Sequence, residues 1–191
     1  MTYYFQVGSI RNVVRFVAIA NLSYFLIEFI FAIRLGSISL FADSIDFLED
    51  ASVNILIFVA LGWSLVARKR LSRFFAILLL IPAISVIIST VYKINNPTAP
   101  SGIGISLIAV GALIINLSCA ILLARFRESK QSLVMAAYLS ARNDALANIA
   151  IITAGIITIF WISPLPDLIV GVSIGMLNAD AARKVWQSTH H

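Results

Sequence analysis

The sequence predicts an all-α, polytopic membrane protein: a bundle of six transmembrane helices with both termini on the cytoplasmic side. Hydrophobic residues make up 60% of the 191 residues and charged residues only 12%, whereas about a quarter of a soluble domain is charged. The apolar residues fall in runs of about 20 or more, long enough to cross a hydrocarbon core of roughly 30 Å. Basic residues cluster in alternate connections, which fixes the orientation.

Six helices are expected, separated by short connections that contain turn-forming or charged residues. One transmembrane domain covering residues 1–191 is therefore predicted, without a cytoplasmic C-terminal domain. The expected helices lie at about 12–34, 38–66, 72–94, 103–126, 131–161 and 165–187. The breaks between them are Gly36-Ser37, the basic run Arg68-Lys69-Arg70, residues 95–102, the charged stretch 125–130 and residues 163–166.

The positive charges are unevenly divided between the two sides. Eleven of the 14 Lys and Arg residues lie at the N-terminal segment, the second and fourth connections and the C-terminal end, while Arg34 and Lys93 lie on the opposite side. The positive-inside rule therefore places both termini in the cytoplasm. These charges flank membrane spans and form no basic face with interleaved aromatic residues, so a nucleic-acid partner is not expected.

Acidic residues inside spans are the most informative feature, because a charge near the bilayer centre costs at least about 2.5–3.5 kcal/mol on insertion scales. Positions four apart lie on one face of a helix, and two predicted helices carry a polar stripe with this spacing. The stripes are Asp46, Asp50 and Asn54 in the second span and Ser140, Asp144 and Asn148 in the fifth.

The two stripes lie at similar depths in their helices. The second and fifth helices run antiparallel in a six-span protein, so Asp46 is expected level with Asp144, and Asp50 level with Ser140. Three carboxylates that converge in this way repel one another unless a cation or protons are present. A divalent ion and protons would compete for the same oxygens, which is the chemical basis of cation/proton exchange.

A structural interpretation of these residues stays open. Buried acids can pair with a basic residue, and Arg142 lies two positions from Asp144, although at that spacing it points away on an ideal helix. Asn54 and Asn148 could touch the ion or could only form interhelical hydrogen bonds.

Five further residues have more than one interpretation. Glu49 could join the site or accept a proton, or it could face another helix. Asp43 could line an outer vestibule, and Glu28 could pair with a polar neighbour or relay protons. The terminal pair His190-His191 could capture metal or be a tag remnant.

Several of these segments resemble a known family. The run from Asn21 through Glu28, followed by residues 36–43 and the Asp46/Asp50 pair, resembles the first two helices of the cation diffusion facilitator family. Residues 142–148 are similar to that family's second metal-binding helix, and Pro166-Asp167 is similar to the start of its sixth. The resemblance covers essentially the whole chain. It implies a six-helix divalent-metal transporter that exports metal from the cytoplasm in exchange for protons.

Two departures from the family pattern affect the expected substrate and assembly. Ser140 stands where the family usually has His or Asp, so the site is all oxygen, which favours harder ions such as Mn²⁺ or Fe²⁺. The family as a whole favours zinc, so we expect Zn²⁺ first, then Fe²⁺ or Mn²⁺, with Cd²⁺ also possible. The family's C-terminal domain is missing from the sequence, which leaves a homodimer as an open expectation.

Other function classes are less well supported by the sequence. It shows neither a nucleophile–base pair nor a phosphate-binding glycine loop, so an enzyme is not expected. The alternative is a non-transporting membrane assembly or regulatory subunit with a structural cation site. The expected partners are divalent metal ions, protons and the lipid bilayer, and the expected location is a cell membrane, in a bacterium the inner one.

Overall fold

The computed structural model describes residues 2–60, 64–126 and 132–188, and within these ranges the chain is a bundle of six α-helices. The all-helical class is therefore confirmed. The helices are α1 (Thr2–Leu35), α2 (Ile38–Ala60), α3 (Leu65–Asn95), α4 (Gly102–Ala124), α5 (Ser132–Phe160) and α6 (Leu165–Ser188).

The helices have the character of membrane spans. Within the described residues, three helices have segments long and apolar enough to cross a bilayer: Ile10–Leu35, Gly102–Ala124 and Val134–Phe160. Helices α3 and α6 each contain a shorter apolar stretch. Large apolar side chains such as Ile103, Leu107 and Ile121 are exposed on the outside of the bundle, as expected for a surface in contact with lipid. The protein is thus a helical membrane protein.

Helix α2 differs from these spans because it is acidic as well as apolar. It contains four acids between Asp43 and Asp50, yet most of its side chains from Ile38 to Asn54 are buried by the other helices. Apart from Glu49, its polar groups are therefore enclosed by protein and are not presented to lipid.

The observed helix ends differ from the predicted ones mainly around α3. The predicted second helix extended to residue 66, but α2 ends at Ala60, and α3 begins at Leu65 instead of at residue 72. Ser64 is the N-cap of α3, because its side chain accepts a hydrogen bond from the Ala67 amide. The run Arg68–Arg70 is therefore part of a helix, and Arg and Lys are good helix formers.

At the other end of the chain, α1 begins at Thr2, ten residues before the predicted start. The apolar pattern marks only the membrane-crossing part of a helix, and the sequence has no proline before it that would stop α1 from extending. The pair His190-His191 lies outside the described residues.

The break between α1 and α2 is a tight turn. Gly36 has a φ of +63°, which closes α1, and the Ser37 amide bonds back to the Ala32 carbonyl. The ends of α3 and α5 and the starts of α4 and α6 lie at the same side of the bundle as this turn, which we call the α1–α2 end.

The packing of the bundle places a polar layer between two apolar clusters. The most extensive pairings are α4 with α5 and α1 with α2, and α6 packs against α2. One cluster, near the α1–α2 end, includes Leu40, Ile105 and Ile151. The other, toward the opposite end, includes Val17 and Leu123. The buried acids and amides of α1, α2 and α5 lie between the two clusters and are shielded on both sides.

Candidate metal site

The register between α2 and α5 is fixed by two hydrogen-bonded contacts. The Ser140 hydroxyl donates to Asp50 Oδ1 at 2.8 Å, and Asn148 Nδ2 lies 3.1 Å from each carboxylate oxygen of Asp43. Asp50 and Ser140 are therefore level, as the sequence predicts. Because Asp46 and Asp144 lie between these two contacts on their antiparallel helices, the same register brings them level too.

The three predicted carboxylates are electrostatic neighbours in this layer. Asp144 lies within hydrogen-bonding reach of Asp50, and Asp46 lies close enough to Asp144 for their negative charges to repel each other. Asp46 and Asp50 are buried, with 8% and 4% of their surfaces exposed, and Asp144 is half-buried. Oxygen atoms from two helices thus face one another in the interior of the bundle.

The layer is not closed around a point where an ion could sit. Within the described ranges, no three acidic, cysteine or histidine side chains are arranged closely enough to enclose a metal ion together. The donor set nevertheless suits a hard or borderline divalent cation, since carboxylate and hydroxyl oxygens are ligands that such ions accept. Ion binding at this layer would require these side chains to move closer together.

The predicted additional ligands have different surroundings. Asn54 Nδ2 donates to the Asp50 backbone carbonyl of its own helix at 2.8 Å, and its Oδ1 is buried without a hydrogen-bond partner among the described residues. Asn148 contacts Asp43 one turn away from Asp144. The Glu49 side chain is exposed on the outer side of α2, away from the buried faces of its neighbours Asp46 and Asp50.

Arg142 does not compensate the charge of the layer. Its side chain is exposed, and its guanidinium lies 3.4 Å from Asn143 Oδ1. This placement agrees with the two-residue spacing, which directs Arg142 away from Asp144. A structural ion-pair network built on Arg142 is therefore not supported.

A second buried cluster was missed by sequence reasoning, although Pro166-Asp167 was noted as part of the family resemblance. The Asp167 carboxylate, at the start of α6, accepts hydrogen bonds from the amides of Ile38 and Ser39 at 2.9 and 3.1 Å. The hydroxyls of Ser37 and Ser39 also donate to it, each at 2.6 Å. Asp167 thereby caps the first turn of α2 from another helix.

Lys93 completes this cluster, which we call the Asp167 clasp. Its ammonium lies 3.4 Å from Asp167 Oδ2 and also donates to the Gly36 carbonyl. Asp167 is fully buried and Lys93 is 6% exposed, so the clasp joins α3 to α6 through a buried ion pair. The hydrogen bonds from Ile38 and Ser39 to Asp167 add the start of α2. The sequence contains a signal for this cluster. Lys93 is near the end of the predicted third span and Asp167 near the start of the predicted sixth, so both are expected on the same side of the membrane.

The comparisons with known proteins identify a family. A family model described as the cation efflux transmembrane domain matches residues 14–188, which is most of the chain. No curated protein gives a significant match. The matched region contains all of the residues of the candidate layer and of the Asp167 clasp.

Proposed function

The chain belongs to the cation efflux family, a family of membrane transporters for divalent metal cations, and from that premise we propose that it exports Zn²⁺ in exchange for protons. The ion would bind at Asp46, Asp50 and Asp144, with Ser140 as a weak fourth ligand. Fe²⁺ and Mn²⁺ are the next candidates, followed by Cd²⁺. The proposed orientation has both termini in the cytoplasm of a cell whose membrane contains the protein, in a bacterium the inner membrane.

The observation that carries this proposal is the register of α2 and α5. The contact of Ser140 with Asp50 on one side, and of Asn148 with Asp43 on the other, supports a shared level for Asp46 and Asp144. Acids on facing helices at one depth are expensive to bury, and a bound divalent cation would compensate their charges.

Exchange with protons follows from the chemistry of the same oxygens. A carboxylate that binds a metal ion must be ionised, and a proton displaces the ion from it. Three acids in one buried layer therefore favour the binding of either a metal ion or protons over an empty, fully ionised state. Alternating exposure of the layer to the two sides would couple the two flows.

The all-oxygen ligand set affects the choice of metal. The hydroxyl of Ser140 already donates a hydrogen bond to Asp50, so it positions that carboxylate and contributes little to the binding energy of an ion. Carboxylates bind zinc as well as harder ions, so the site selects weakly by ligand type. We propose Zn²⁺ as the principal substrate and expect Mn²⁺ and Fe²⁺ to compete with it.

The test is metal uptake by purified protein in liposomes, measured separately for Zn²⁺, Mn²⁺, Fe²⁺ and Cd²⁺. Asp50→Asn keeps the size of the side chain and removes its charge, so it is expected to lower uptake at least tenfold. Ser118→Ala, on the exposed face of α4, serves as the control and is expected to leave uptake unchanged. Metal that binds to the wild type but never crosses the membrane would instead favour a non-transporting assembly or regulatory subunit.

A further inference from the structure

A second polar layer lies between the Asp46–Asp144 level and the α1–α2 end. It consists of Glu28 from α1, Asp43 from α2 and Asn148 from α5, and all three are fully buried. The Asn148 amide nitrogen is 3.1 Å from both oxygens of Asp43, and the Glu28 carboxyl lies within hydrogen-bonding reach of Asp43. Two carboxyl groups and one amide therefore meet from three different helices.

Three oxygen atoms of this layer lack a hydrogen-bond donor. Both carboxyl oxygens of Glu28 and the Oδ1 of Asn148 are buried, and none of them accepts a hydrogen bond from the part of the chain that the structure describes. Neither Glu28 nor Asp43 forms an ion pair with a lysine or arginine of the described residues. Buried acids in a membrane protein need a compensating positive group, which these residues do not supply themselves.

The arrangement of the unpaired atoms discriminates between a proton and a metal ion. A proton shared by Glu28 and Asp43 would join one oxygen of each and would leave Asn148 Oδ1 unpaired. A divalent cation can accept oxygens from all three side chains, and carboxylate and amide oxygens are the ligands that hard divalent cations prefer. We propose that Glu28, Asp43 and Asn148 form a second binding site, or station, for a divalent cation on the transport path. This second station rests on the proposed transport function.

The distance between the two layers predicts how the stations are used. Asp43 precedes Asp46 by three residues and Asn148 follows Asp144 by four, which corresponds to about 4.5–6 Å along the helices. Two divalent ions at that separation repel one another strongly. One ion therefore occupies either layer in turn, and the wild type binds one ion per chain. The second station is measured on its own only when the first is disabled.

The experiment uses the full chain carrying Asp50→Asn together with Asp144→Asn, purified in detergent and titrated by calorimetry with Mn²⁺ alone and with Zn²⁺ alone. This double variant is expected to bind one ion per chain, at least tenfold more weakly than the wild type. Adding Glu28→Gln to it is expected to weaken binding by a further tenfold or more. Adding Ser173→Ala, which lies on the exposed face of α6, is the matched control and is expected to leave binding unchanged.

Two results would overturn the proposal: a folded double variant that binds neither ion, or one that binds it equally well with and without Glu28→Gln. Size-exclusion profiles check that each variant is folded, and Asp43→Asn in the same background removes the other charge if Glu28→Gln does not fold. Metal uptake by wild-type protein in liposomes distinguishes these two results from a failure of the proposed transport function. If only the second station does not exist, transport through the first layer would persist.

Discussion

Replacing Asp167 by asparagine is predicted to destabilise the bundle strongly. The carboxylate accepts hydrogen bonds from two backbone amides and two hydroxyls at 2.6–3.1 Å, and it pairs with Lys93 at 3.4 Å. Asparagine has a similar shape, but it removes the charge and replaces one acceptor oxygen with a donor. Lys93 then stays buried without its counter-charge.

The magnitude follows from the burial of the pair. Removing one partner of a buried ion pair costs about 3–5 kcal/mol, because the remaining charge is left uncompensated. For a protein of this size, 1 kcal/mol corresponds to a shift in Tm of about 2–4 °C. Asp167→Asn is therefore expected to lower Tm by about 6–20 °C.

The assay is thermal unfolding of the purified protein in detergent, followed by circular dichroism. Lys93→Met removes the buried charge, so Asp167→Asn should cost less in that background than in the wild type, and a double-mutant cycle measures the difference. Ser173→Ala, on the exposed face of α6, is the control and should leave Tm unchanged. A decrease below about 2 °C for Asp167→Asn would refute the reasoning, since the buried pair would then contribute little.

Two of the other predictions concern the metal layer, and the third concerns the packing of α6 against α2. Ser140→His adds an imidazole beside Asp50, and it is expected to raise the affinity for Zn²⁺ relative to Mn²⁺ in calorimetric titrations. The reason is that borderline ions favour nitrogen ligands more than hard ions do. An unchanged ratio of the two affinities would mean that this position does not face the ion. Apparent metal affinity is expected to fall as pH is lowered from 8 to 5.5, because protons compete for the carboxylates, and a flat profile would argue against exchange. A Cβ at Gly171 would lie 2.7 Å from the α2 backbone at Ile38, so Gly171→Leu is expected to separate α6 from α2 and to lower Tm. Gly175 has open space around it, so Gly175→Ala is the control and is expected to leave Tm nearly unchanged.

The parts of the structure that could be predicted from the sequence are those that depend on local pattern. Runs of apolar residues predicted six helices, and the four-residue spacing of polar positions predicted that Asp50 lies level with Ser140. Both follow from helix geometry and from the antiparallel run of the second and fifth spans, because 1.5 Å per residue and 3.6 residues per turn fix which side chains of a helix share a face and how deep each lies.

The parts that could not be predicted depend on contacts between distant segments. Lys93 and Asp167 are 74 residues apart, and only the packing of α3 and α6 against α2 brings them together. The orientation of Glu49 is another example, because its spacing from Asp46 allowed either an inward or an outward position. Tertiary packing determined that Glu49 is exposed while Asp50, the next residue, is buried.

The early start of α3 has a similar explanation. The basic run Arg68–Arg70 was predicted to be a connection because its charges interrupt the apolar pattern. Hydropathy reports where a helix crosses lipid and not where its hydrogen bonds begin, and the Ser64 cap starts the helix before the membrane-crossing part.

The most direct test of the central claim is to record the internal pH of liposomes containing the purified protein when Zn²⁺ is added outside. If Asp46, Asp50 and Asp144 exchange a metal ion for protons, Zn²⁺ entry is predicted to make the interior more alkaline. The signal is predicted to grow with an inside-acid gradient and to be lost when any one of the three is replaced by Asn. Zinc entry without a change in internal pH, or a full signal in all three Asn variants, would contradict the account.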